Sequence, residues 1–275
     1  MNTIKYLYSY WGSEHMRPKE FLALVISNGF DGIEINLPKD IEFERNFHEA
    51  LNAVRQVNPS FSCGLQQVLG VKKETPEEYL DIVLKRLDRL VPYNPTFINS
   101  HTGKDHYSFS QNCKIIEAIE EFSIQHNIRV YHEIHRGRFT FHSLSTLKYL
   151  DVFPNLKFVG DLSHWCVVSE SMLQDQADII DKIIPRIRHI HARVGFEQSP
   201  QVNDPFVPEW KAHLDQFVKW WQSIVDHHLP YRDMTITPEF GPFPYMPTMP
   251  YTKEPLAKQS RLNMKLKEYL KTSLK

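Results

Sequence analysis

The chain has 275 residues, with 32 basic side chains against 33 acidic ones and a formal net charge of −1. That balance excludes a global attraction to nucleic acid or to an acidic membrane surface, and no apolar run approaches the roughly 18 residues of a membrane span. Cys63, Cys113 and Cys166 are odd in number, widely spaced and without a CxxC pair, which points to reduced thiols in a cytoplasmic protein. Residues 1–20 carry Lys5, Glu14, Arg17 and Lys19 with no apolar core among them, so no signal peptide is expected.

Short apolar runs alternate with amphipathic segments along the whole chain. Strands are expected over 5–10, 32–36, 61–66, 97–101, 129–134, 157–161, 188–192 and 235–239. Between the first two, Pro18 can open a helix that ends near Asn28-Gly29. Thr75-Pro76-Glu77-Glu78 is a capping box with proline at the first helical position, and its helix should run to about Val91. Ile115, Ile119 and Phe122 share a face of the fourth helix. Ser143 is the expected cap of the fifth, which Pro154 ends, and Pro185 stops the sixth. Pro208 opens the seventh, with Trp210, Leu214, Phe217 and Trp221 as its apolar stripe. Pro255 precedes the last, which carries Leu262, Leu266 and Leu270.

Strict alternation of strand and helix implies a parallel sheet with right-handed crossovers. Eight repeats favour closure into a barrel, and 275 residues match the roughly 250 of a (β/α)8 TIM barrel. A dinucleotide fold would place GxGxxG after the first strand, where Tyr10-Trp11-Gly12-Ser13 stands instead. With no linker or low-complexity tract, a single domain over residues 1–275 is expected.

Glu133, Asp161, His191 and Glu239 each fall at the C-terminal end of an expected strand, 28, 30 and 48 residues apart. In a parallel barrel those ends converge on one face. Three carboxylates and one imidazole make a mixed oxygen and nitrogen ligand set for one divalent ion, with Mn2+, Co2+, Mg2+ and Zn2+ all compatible. Chance placement with local salt bridges is the plainer alternative, but unmetallated carboxylates at one barrel mouth would repel each other. A metal site, and so an enzyme, is the expectation.

Around this set, His164 follows Asp161 by three residues and can polarise a substrate oxygen, or be an ordinary loop histidine. His189 and His191 share one strand face; His189 is expected lower in the barrel as a hydrogen-bonded core residue. Arg193 suits an anionic or hydroxyl-rich substrate. His135 can line the pocket, and either Arg136 or Arg138 can bind a phosphate or carboxylate or neutralise neighbouring acids. Of Glu34 and His101, which end the second and fourth strands, His101 is the better pocket candidate. Tyr8, Tyr10 and Trp11 can wall a sugar pocket or belong to the barrel packing. The loops over 198–205 and 238–247 are long and proline-bounded, as expected of stiff walls at a functional face.

Glu133, the Asp161-x-x-His164 run, His191 and Glu239, with the 189–195 and 238–242 segments, resemble the xylose isomerase-like TIM barrels of the sugar phosphate isomerase/epimerase superfamily. The likeness covers nearly the whole chain. It implies one divalent ion held by Glu133, Asp161, His191 and Glu239. It also implies Glu133 and Glu239 as the acid/base pair acting through an enediolate, with His164 and Arg193 binding the polarised oxygens of a small sugar substrate; His101, His135 and Trp11 are expected, from their own positions, to line the same pocket. A homo-oligomer is compatible with it. Dehydratase or lyase chemistry on a keto-polyol would use the same ligands, and a sugar-binding barrel without catalysis is a further alternative. An endonuclease IV-like DNA repair enzyme shares the fold but needs three zinc ions and further histidines; Asp204-Pro205-Phe206 and Gln66-Gln67 stand where some are expected, and there is no basic surplus.

Overall fold

Residues 2–70 and 72–275 are described in the computed structural model. Eight parallel strands close into one barrel in sequence order: β1 (Ile4–Ser9), β2 (Gly32–Ile35), β3 (Ser62–Gln67), β4 (Phe97–Ser100), β5 (Val130–Glu133), β6 (Phe158–Gly160), β7 (Ile187–Ala192) and β8 (Met234–Pro238). The ring is sealed where Ile4, Lys5 and Tyr6 pair with Met234, Thr235 and Ile236. Every expected strand is present to within two residues at either end.

The helices follow from local chemistry. Pro18 opens α1 (Pro18–Ser27), and the Asn28 backbone N–H closes it on Leu24. Asp40 caps α2 (Ile41–Val57) by accepting from the Phe43 N–H at 2.8 Å. The Thr75 hydroxyl and the Glu78 carboxylate satisfy each other's backbone N–H at the start of α3 (Pro76–Leu90), and Ser108 and Gln111 do the same for α4 (Phe109–His126). In α5 (Ser143–Val152), Ser143 is the first helical residue, not the cap; His142 holds the cap position and the Ser143 hydroxyl bonds Gln176. The sixth crossover is split into α6 (Ser163–Ser169) and α7 (Ala177–Ile183). Pro208 opens a short 3-10 turn that carries Trp210, and α8 (Lys211–His228) buries Leu214, Phe217 and Trp221. Leu262, Leu266 and Leu270 seat α9 (Gln259–Ser273) on the barrel. Among the described residues no helix is long and apolar enough to cross a membrane.

Alternate residues of each strand face opposite ways. Ile33 and Ile35 of β2 join the apolar layer under the helices, whereas Glu34 reaches across the barrel interior to β7 and β8. The interior is polar at this level: Glu34, Gln66, Asn99, His189, His191 and Thr237 are joined by hydrogen bonds. Below them Phe97 stacks on Tyr131 and lies against His189, with ring centroids 5.4 and 4.6 Å apart. A side chain at Gly32 has no space, because a methyl there would land on the Ser62 carbonyl oxygen and within 2.8 Å of Leu7. Gly32→Ala is therefore expected to destabilise the barrel by about 1–3 kcal/mol, read as a lower urea midpoint at unchanged slope; an unchanged midpoint would contradict the packing described.

Candidate active site

The C-terminal strand ends deliver most of the expected residues to one place. Glu133 closes β5, Asp161 follows β6 directly, His191 is the fifth residue of β7 and Glu239 follows β8. All four are buried. They form overlapping trios whose donor atoms lie within 4.8 Å of one another: Asp161, His191 and Glu239 in one, Glu133, Asp161 and His164 in another.

Imidazole His191 is held from below. Its Nε2 lies 3.0 Å from each oxygen of Glu34. Glu34 also accepts from the Thr237 hydroxyl at 2.7 Å, from Gln66 and Asn99 at 3.2 Å, and faces His189 Nε2 at 3.1 Å. With Nε2 committed to that carboxylate, His191 presents Nδ1 upward. Nδ1 lies 2.8 Å from Glu239 and 3.7 Å from Glu133, yet among the described residues it has no hydrogen-bond partner. The Glu239 oxygen is close enough for a hydrogen bond but out of line for one. Two donors set at right angles about 2.1 Å from one metal ion would be about 3.0 Å apart, which is close to the spacing found. These residues therefore fit a divalent cation, with the buried, unpartnered Nδ1 as the sign of it.

Arg193, one residue beyond β7, complicates the charge balance. Its guanidinium bonds one oxygen of Asp161, lies 3.1 Å from His164 Nε2 and 3.7 Å from Glu239, and sits 4.7 Å from the Tyr245 ring centre. The other Asp161 oxygen accepts from the Ser163 N–H at 3.1 Å and from the Ser163 hydroxyl. Each carboxylate oxygen has two lone pairs, so the arginine bond leaves Asp161 a further acceptor position.

Burial pushes the Glu133 carboxyl up, but His101 and His191 outweigh it and hold the group well below the usual carboxylate range. Glu34 is likewise held well below it by His191 and His189 against its burial. For Asp161 burial wins, and its acidity is weakened despite Arg193. Burial lowers His191, but Glu239, Glu34 and Glu133 together raise it well above an ordinary histidine. His135 and His164 are driven well below the ordinary value, first by burial and then by the imidazoles beside them, His101 for His135 and His135 for His164.

Above these groups opens a pocket of about 530 Å3, lined in part by Trp11, His101, Glu133, His135, Arg193 and Glu239. Of the remaining expected residues, His164 does not reach the pocket wall. It lies in the first turn of α6, fully buried, with its ring 3.9 Å from that of His135 and its Nε2 against Arg193. Tyr10 lines the pocket, whereas Tyr8 packs in the core between Phe21 and Phe30. His189 takes the lower position expected of it, against Glu34 and Thr235. Glu34 ranked behind His101 on sequence, but it proves to be the residue beneath the whole cluster. The alternating pair His189 and His191 was the signal for it, since two buried imidazoles on one face need an acceptor opposite them. Tyr245 was also missed; it stands in a proline-rich loop with no strand to place it.

The two long loops brace each other. The Gln201 side chain donates to the Gly241 carbonyl at 3.1 Å and accepts from its N–H at 2.7 Å. Gly241 in turn leaves room for the Trp11 indole, which a methyl at that position would strike.

The Glu34 network predicts a pH dependence in metal-free protein. A carboxyl whose folded value is depressed below its ordinary 4.5 contributes stability that is full above 4.5 and is lost as pH falls through the folded value. His191 acts in the opposite sense: its value is raised above 6.5, so its share is full below 6.5 and is lost as pH rises through the folded value. Glu34→Gln should lower stability by about 3 kcal/mol or more at pH 6 and flatten the acid limb of a plot of urea midpoint against pH. A variant with the wild-type acid limb would remove Glu34 from this role.

No family model matches the chain, and no curated protein matches it. Solved structures do. The probable 3-DHS dehydratase involved in petrobactin synthesis in Bacillus anthracis aligns with a TM-score of 0.63 at 17% identity, over 99% of both chains. The 3-keto-D-glucoside 4-epimerase of E. coli in its apo form gives 0.61 at 13%, covering 98% of this chain and 100% of its own. A xylose isomerase-like TIM barrel protein from Mycobacterium smegmatis in complex with magnesium gives 0.62 at 12%, over 98% of each. At these identities the likeness speaks for architecture, and the chain has the fold of the xylose isomerase-like (β/α)8 TIM barrels.

Proposed function

We propose that this protein is a divalent-metal-dependent enzyme that isomerises or epimerises a sugar or sugar derivative by moving a proton at a carbon beside a carbonyl. The observation that carries this reading is the buried His191 Nδ1, unpartnered between Glu239 and Glu133. Glu133, Asp161, His191 and Glu239 would hold the ion, with Mn2+, Co2+, Mg2+ and Zn2+ all compatible with three carboxylates and one imidazole. When bound, the ion polarises the substrate carbonyl and makes the adjacent C–H acidic.

The rest falls to the chain's own residues. Glu133 stays ionised at neutral pH and can take the proton from carbon, while the C–H electron pair moves toward the carbonyl to give an enediolate. Glu239, three strands further round the ring, can return a proton from another side. Return to the opposite face of the same carbon inverts it; return to the neighbouring carbon, with the hydroxyl proton passing to the former carbonyl oxygen, isomerises the sugar. Trp11, His101 and His135 line the pocket around this pair, and the aromatic face of Trp11 suits a C–H-rich ligand. His164 acts at one remove, by holding Arg193. Two neighbours in structure support the reading: one carries magnesium, and the other is named for a keto group at position 3 beside the carbon it epimerises at position 4.

Metal analysis of the purified protein is the direct test. About one divalent ion per chain, lost in Asp161→Ala, is expected; about three zinc ions would match DNA-repair chemistry instead. Glu133→Gln and Glu239→Gln should each reduce turnover on a ketose and keto-polyol panel by roughly 100- to 10,000-fold while the thermal melt persists. The panel should be scored for water loss as well as for altered configuration. Full activity in both variants, or no metal after soaking in Mn2+, would end the proposal.

A further inference from the structure

We infer that the pocket recognises a carboxylate on its substrate, and that Arg138 is the residue that binds it. This rests on the pocket being a substrate site, as proposed above. Arg138 follows β5 in the turn His135-Arg136-Gly137-Arg138, where Gly137 takes a left-handed φ of 77° and the Arg138 N–H closes on the His135 carbonyl at 3.2 Å. The two arginines part there. Arg136 stacks 5.3 Å from the centre of the Tyr245 ring, whereas Arg138 lines the pocket and reaches the Leu69 carbonyl beyond β3.

Charge bookkeeping singles Arg138 out. Within the pocket Arg193 is neutralised by Asp161 and Glu239, and Glu133 is paired with His101. The Glu14 carboxylate is turned back onto the Gly12 N–H. On the flanking β3 side, Lys104 is paired with Glu74 and Arg86 bonds Asn36 and Leu37. Arg138 forms no ion pair among the described residues. Among the described residues its one side-chain hydrogen bond is long, at 3.4 Å, and its Nε, like that of Arg193, is buried without a partner. A guanidinium held in that state, facing a cavity, lacks an acceptor that the ligand can supply.

Charge and shape select the acceptor. One planar fork with a single positive charge matches a carboxylate in a bidentate pair. A phosphate dianion generally recruits further cations or a run of backbone N–H groups, and the other guanidinium lining this pocket, Arg193, is already paired with Asp161 and Glu239. Topology then sets the substrate's orientation. Arg138 bridges the loops after β5 and β3, over β4, and β4 lies opposite β8 in a ring of eight. The acidic end of the substrate would lie on that side, with its reacting carbon toward Glu133 and Glu239. The ligand class is a polyhydroxylated keto acid, not a neutral sugar.

Three probes on one six-carbon skeleton test this by calorimetric titration: sorbitol, D-gluconate and sorbitol 6-phosphate. D-gluconate should bind at least about tenfold more tightly than sorbitol. Arg138→Gln should abolish that preference, and Arg138→Lys should retain part of it. Equal affinity for sorbitol and D-gluconate would overturn the inference, as would no binding of any probe. A stronger response to sorbitol 6-phosphate would overturn the choice of carboxylate. D-gluconate can also chelate a bound ion, so a preference that survives in Arg138→Gln would belong to the metal and count against Arg138. Metal content and thermal melting of each variant separate the two proposals: a metal-free protein that still prefers D-gluconate through Arg138 removes the metal reading and leaves this one standing.

Discussion

A single carboxylate inside the barrel organises everything above it. Glu34 takes hydrogen bonds from side chains on β3, β4, β7 and β8 while its backbone belongs to β2. An isolated charge at that depth would be strongly unfavourable, so its neighbours have to complete its solvation. Asn99 does so while also donating to Glu133 at 2.6 Å, and His191 does so while also facing Glu239. The floor of the cluster and its upper layer thus share members. The choice of histidine tautomer would follow once an ion displaced the second proton: a proton on Nε2 directed at Glu34 would leave the Nδ1 lone pair for the site, the arrangement by which outer carboxylates orient metal-binding imidazoles.

The second organising group is Arg193. Three acids and one imidazole around a small volume carry an excess of negative charge. Arg193 offsets part of it from the rim, bonded to Asp161 and flanked by Tyr245. Its Nε has no partner among the described residues, but its charge is paired with Asp161 and Glu239, so it acts more as a brace for Asp161 than as an open hand for ligand. The pocket-lining guanidinium with no ion pair among the described residues is that of Arg138.

Much of this was legible in the chain. Strand ends are readable because an apolar run stops where a polar residue begins, and closure of eight such runs brings their ends together whatever the helices do. That logic located Glu133, Asp161, His191 and Glu239. It was less informative for residues whose role depends on where the strand does not end. Glu34 lies inside β2, and its partners stand 155 and 157 residues away; the His189 and His191 pair signals that an acceptor is needed but not which residue supplies it. His164 was expected against substrate, just above Asp161, because α6 is a seven-residue helix, too short for helical periodicity to show that its first turn is buried. Arg136 and Arg138 were equivalent on sequence; the left-handed Gly137 between them separates their directions, and only backbone geometry shows which one faces the cavity.

Gly241 and Trp11 together set the bore of the pocket. The indole rests where a side chain at 241 would be, and Gln201 clamps that glycine from the neighbouring loop. A side chain at 241 would push the indole, which lines the pocket, out of its place. Evolution could widen or narrow the acceptance of such a barrel by changing one position in the wall, without touching any of the acids and imidazoles beneath it.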